Sequence, residues 1–116
     1  MSRSTRKLFI NLTPTSGTQF EAKKIFKKSF DLIFQEEKKG NRGKIVDTPV
    51  NIVVTFLFKG KCPSDIDNLL KSLFDALQGN MIVNDSQIKR VIAEIKEDSF
   101  VDAISVSINP HDGNSF

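Results

Sequence analysis

The stretch VNIVVTFLFK at residues 50–59, followed after Gly60-Lys61-Cys62-Pro63 by SDIDNLLKSLFDALQG at residues 64–79, decides the fold. In the first, Val50, Ile52, Val54, Phe56 and Phe58 alternate with Asn51, Val53, Thr55, Leu57 and Lys59, the period of two that belongs to a strand. Both sets are substantially apolar, which predicts a strand in the centre of its sheet. Gly60 and Pro63 end it. In the second, Ile66, Leu69, Leu70, Leu73, Phe74 and Leu77 recur at helical spacing. Ser64 stands where a cap belongs, with Asp67 three residues on, and Gly79 is a natural stop.

On the N-terminal side, Lys7 to Leu12 alternates and reads as a strand, which Thr13-Pro14-Thr15-Ser16-Gly17 breaks. From Thr18 to about Gln35, Ala22, Ile25, Phe26, Ser29, Phe30 and Ile33 predict the core face of a first helix, and Lys23, Lys24, Lys27, Lys28 and Asp31 its opposite face. Glu36 to Lys44 reads as a loop with Lys38, Lys39, Arg42 and Lys44 among its cations. On the C-terminal side, Met81 to Val83 predicts a short strand, Ile88 to Glu97 a longer one, and Ala103 to Ile108 a last one before Pro110, with residues 111–116 as a frayed tail. The expectation is an α+β fold: one two-layer domain over residues 1–116, a mixed sheet of about five strands with two helices packed on it.

Composition narrows the chemistry. The chain of 116 residues has 39% hydrophobic and 27% charged residues and no apolar run long enough to span a membrane, and the basic N-terminus leads into only a short apolar stretch. A cytoplasmic protein with no membrane partner is expected. One cysteine, Cys62, excludes an internal disulfide, and with the single His111 there is no cluster of soft zinc ligands, so a metal must be held by oxygen. The net charge of +3 is sorted: residues 1–61 carry 13 Lys/Arg and 5 Asp/Glu, or +8, and residues 62–116 carry 4 and 9, or −5. The first half suits a polyanion, and Lys23, Lys24, Lys27, Lys28, Lys38, Lys39, Arg42 and Lys44 are the candidate phosphate contacts. A solvated charged face is the bland alternative.

Asp67, Lys71 and Asp75 fall at i, i+4 and i+8 and lie in one row on the polar face of the second helix, flanked by Asn68 and Ser72. Asp65 enters from the preceding loop, and the next loop supplies Asn84 and Asp85. Carboxylates at a helix start and a neighbouring loop can converge on one hard cation, and magnesium suits two or three of them because it keeps several waters. Lys71 is one turn from Asp67, placed to hold a phosphate. The same residues also read as an ordinary helix pair and a dipole-favoured helix start.

The run Asp65-Ile66-Asp67-Asn68-Leu69-Leu70-Lys71, then Phe74-Asp75-Ala76-Leu77-Gln78-Gly79, then Asn84-Asp85-Ser86-Gln87-Ile88, resembles the signature of the RusA family of Holliday-junction resolvases. That pattern is D-x-D-N-x-x-K, a D-A-L helix end and a D-D-x-x-I segment. The resemblance implies that Asp65, Asp67 and Asp85 bind magnesium, with manganese as a substitute, and that Lys71 completes the catalytic set. Asn68, Asp75 and Asn84 then stand around the ligands. It further implies a homodimer making paired symmetric nicks in a four-way DNA junction. Asn84 departs from the pattern, standing where the family often has the first aspartate of its pair, and Thr13 to Phe20 does not reproduce the family's turn. The rival readings are a non-catalytic binder of branched DNA and a metal-dependent nuclease for another nucleic-acid structure.

Overall fold

In the computed structural model the alternating run becomes strand β2, Val50–Leu57, which has a partner on each side. Strand β3, Ile88–Lys96, pairs with it in parallel, and strand β4, Ala103–Pro110, pairs antiparallel. Strand β1, Arg6–Ile10, adds antiparallel to β4, so the mixed sheet has the order β1-β4-β2-β3. Parallel neighbours cannot be joined by a tight turn. The connection from β2 to β3 therefore carries helix α2, Ile66–Leu77, and helix α1, Phe20–Lys39, lies in the connection from β1 to β2. The structure describes residues 6–11, 13–14, 20–39 and 45–111, with the side chains of 6–7, 20–23 and 34–39 outside the description. Among the described residues no helix is long and apolar enough to cross a membrane.

Packing divides the chain into two interleaved units, one of Met1–Pro14, Thr48–Cys62 and Ser86–Phe116, the other of Thr15–Asp47 and Pro63–Asp85. The first contains the sheet. One face of β2 is fully buried through Val50, Ile52, Val54, Phe56 and, beyond the strand end, Phe58. The register sets Ile52 beside Ile108, Val54 beside Val106 and Phe56 beside Ile104, rows of branched and aromatic side chains that stabilise a pleated surface. On the other face Val53, Thr55 and Leu57 keep access to solvent. β2 is central because both its edges are paired, not because both its faces are covered.

The turn between β3 and β4 uses its acidic residues on the segment Lys59 to Cys62, two on its backbone and one on a side chain. Lys59 N–H donates to Asp102 Oδ1 (2.8 Å), Cys62 N–H donates to Glu97 Oε2 (2.7 Å), and Lys61 Nζ donates to Asp98 Oδ2 (2.9 Å). That hydrogen bond, with the charges of Asp98 and Glu97, raises the pKa of the exposed Lys61 ammonium. Asp98 takes a left-handed backbone (φ 56°), which Asp tolerates better than most residues. His111, read as the start of a fraying tail, is tied to the sheet: its N–H donates to the Pro49 carbonyl (3.0 Å) and its Nδ1 meets the buried Asn51 Oδ1 at 2.7 Å. Residues 112–116, the rest of that expected tail, lie outside the described residues.

The second unit contains the helices, and here four expectations are corrected. α1 continues through Lys39, so Glu36 to Lys39 are helical rather than loop. Burial on α1 follows the line through Phe26 and Phe30, whose rings pack at 5.8 Å. Ile25, about 120° round the helix from that line, is 65% exposed, and Ile33 lies at its margin. Met81 to Val83 form no strand, because Ile82 makes only isolated bridges to Gln78 and Val46; the mixed sheet of four strands with two helices still agrees with the expected α+β plan of about five strands. The N-cap of α2 is Asp65, not Ser64. α2 itself buries Leu69, Leu73, Ala76 and Leu77, as its periodicity demands. Ser72 belongs to that buried side as well, its hydroxyl donating to the Leu69 carbonyl (3.0 Å).

Candidate active site

Backbone geometry presents the acidic residues on three local supports within the helical unit. Asp65 is the half-in residue at the start of α2, with extended φ −79° and ψ 156°, and its carbonyl accepts the Leu69 N–H (3.2 Å). Its side chain makes no capping bond, so the carboxylate is not spent on the helix's own first turn. Asp67 follows within that turn, where the helix dipole favours negative charge. Because α2 turns its apolar stripe inward, Asp67 and Lys71 face solvent, with Asp75 half-buried one turn further and Asn68 half-buried beside them.

Asp85 reaches its place through the chain reversal after α2. Gly79 adopts φ +85°, and the Leu77 carbonyl accepts N–H groups from Asn80, Met81 and Ile82 at 2.8–3.2 Å. The Val46 N–H donates to the Met81 carbonyl (2.8 Å), which pins the segment leading to exposed Asn84 and Asp85. Asp85 opens a single 3-10 turn, Asp85–Gln87, directly before β3. Asn80 anchors the reversal: its buried Nδ2 donates to Asp31 Oδ1 (2.6 Å) and to the Ala76 carbonyl (2.8 Å). Sequence reading missed Asn80, whose position beside Gly79 signals only a turn.

The structure places all three carboxylates at the surface, but among the described residues no three His, Cys, Asp or Glu side chains are gathered closely enough to hold a metal ion. All three side chains are carboxylates, the hard oxygen donors that a hard cation such as magnesium takes, and their exposure keeps the desolvation cost of such binding small.

The basic residues divide. Lys28 and Lys24 are exposed on α1. Lys27 Nζ donates to the Gln78 carbonyl at the end of α2 (2.9 Å) and lies 3.2 Å from Asp31 Oδ1, so it ties the helices together. Arg42 and Lys44, and the side chains of Lys23, Lys38 and Lys39, lie outside the described residues.

No curated protein matches the chain. The family model described as endodeoxyribonuclease RusA matches residues 14–109, which takes in α1, β2, α2, β3 and nearly all of β4. The exposed row on α2, the acidic loop before β3 and a match over most of its length establish that this chain belongs to the RusA family of endodeoxyribonucleases.

Proposed function

We propose that the protein is a cytoplasmic, magnesium-dependent Holliday-junction resolvase that acts as a homodimer and makes paired symmetric nicks in four-way DNA during recombination and repair. The observation that carries this reading is the solvent-facing row of Asp67 and Lys71 on α2, headed by an Asp65 carboxylate that does not cap its helix, in a chain of this family.

In this reading Asp65, Asp67 and Asp85 would hold magnesium, with manganese able to replace it. Bound there, the ion supplies a more acidic water and neutralises charge on the phosphodiester. Lys71 holds the attacked phosphate and stabilises the charge that grows on its oxygens. Water oxygen bonds to phosphorus as the bond to the 3′ oxygen breaks; that oxygen takes a proton, leaving a 3′-hydroxyl and a 5′-phosphate. Asn68, Asp75 and Asn84 orient the ligands and their waters, and Asn84 does so without adding charge. Lys24, Lys28 and the other basic residues of α1 and the segment after it grip the backbone independently of sequence.

The test is a synthetic four-way junction labelled on each strand. Symmetric nicks in two strands of like polarity, dependent on magnesium and absent from linear duplex, are the expected result. Preferential cutting of flap DNA or RNA would reassign the substrate. Inactivity on all of them in magnesium and manganese would overturn the enzyme.

A further inference from the structure

β3 is an edge strand of nine residues, and among the described residues its outer edge pairs with nothing. A long open edge is a template for another strand, so its chemistry decides what it accepts. The Lys96 carbonyl accepts the Phe58 N–H (3.0 Å) and so points toward the β2 side. The register runs without a shift from Arg90 to Lys96. Arg90, Ile92 and Glu94 therefore also turn their backbone groups toward β2, and Val91, Ala93 and Ile95 turn theirs to the open edge. On the side-chain level Arg90, Ile92, Glu94 and Lys96 share one exposed face, with Ile92 50% exposed.

These alternations restrict how a second copy could add antiparallel about a two-fold axis. Hydrogen bonding requires Val91, Ala93 and Ile95 to meet the same set on the partner. Centring the axis on Arg90 or Glu94 sets like charges face to face, and centring it on Ala93 opposes Arg90 to Lys96. Centring it on Val91 opposes Arg90 to Ile92. Centring it on Ile95 opposes Glu94 to Lys96 but pairs only the last three residues of the strand. The axis through Ile92, the middle residue of Ile88–Lys96, pairs the strand over its whole length and matches like with like and charge with countercharge: Ile92 meets the partner's Ile92, and Arg90 meets the partner's Glu94 twice by symmetry. Val91 and the partner's Ala93 then exchange both backbone hydrogen bonds.

We infer that two copies of this chain join β3 to β3, antiparallel about an axis through Ile92, into one sheet of eight strands. This rests on the homodimer reading and names its surface. It sets the two Ile88 residues, each just after its Asp85, roughly 26 Å apart along the strands.

Sedimentation at micromolar concentration tests it. Arg90→Glu and Glu94→Arg should each weaken the dimer at least about tenfold, and the double exchange should restore it, since the pairs re-form with signs reversed. In a Cys62→Ser background, Ile92→Cys should form an intermolecular disulfide on mild oxidation, because directly opposed residues bring their Cβ atoms within bridging reach. Val53→Cys, on the same face of the adjacent strand β2, should not. A wild-type dimer with no rescue by the double exchange and no Ile92→Cys bridge would overturn this interface and leave the dimer standing. A wild-type monomer that still makes paired nicks would overturn both.

Discussion

At the scale of single residues, polar groups separate into those that build the fold and those left facing solvent. Asn80, Glu97, Asp102 and His111 spend their hydrogen bonds on backbone or on side chains 4 to 60 positions away in sequence. Asn80→Ala should therefore cost about 1–3 kcal/mol, because it removes a charge-assisted bond to Asp31 and leaves the Ala76 carbonyl short of a donor. Urea unfolding measures this, and an unchanged midpoint would deny Asn80 its anchoring role. The row of Asp67, Lys71 and Asp75 was legible in the sequence, since helical spacing fixes direction once the apolar stripe is known. The uses of Glu97, Asp98 and Asp102 were not, because their partners at Lys59 to Cys62 are brought near only by the strand pairing. Part of the acidic surplus of the second half is thus structural rather than catalytic.

At the scale of elements, periodicity predicted existence and type but not which part of a stripe is covered. β2 and α2 came through because their patterns are long and bounded by Gly60, Pro63 and Gly79. The failure at Met81 to Val83 has a physical cause: three apolar residues satisfy a strand's alternation, but a strand needs a continuous partner, and Gln78 and Val46 each offer one bridge. On α1 the sequence could not tell that Phe26 and Phe30 would hold the buried line and turn Ile25 out. The same rotation assigns different work to adjacent lysines. Lys28→Ala should weaken junction binding at every sequence and lower its salt slope by about one unit, as loss of one phosphate contact does. Lys27→Met should add a loss of stability, since it breaks the bond to the Gln78 carbonyl. Binding titrations across a salt series, paired with unfolding curves, distinguish these outcomes, and an unaltered slope for Lys28→Ala would return that face to solvent.

At the scale of the whole molecule, the sorted charge and the acidic row fit the proposed function, in which a basic N-terminal half would hold a phosphate backbone and carboxylates on and after α2 would hold the ion that acts on it. Asp67→Asn keeps the size and shape of the side chain but turns one acceptor oxygen into a donor and removes the charge that would bind the cation. The deciding measurement is single-turnover cleavage and equilibrium binding of one labelled four-way junction by wild type and Asp67→Asn in magnesium. Cleavage should fall by about a thousandfold or more, corresponding to about 4 kcal/mol, while binding is unchanged or tighter because one negative charge facing phosphate is gone. Cleavage at the wild-type rate, or binding lost together with cleavage, would contradict the assignment.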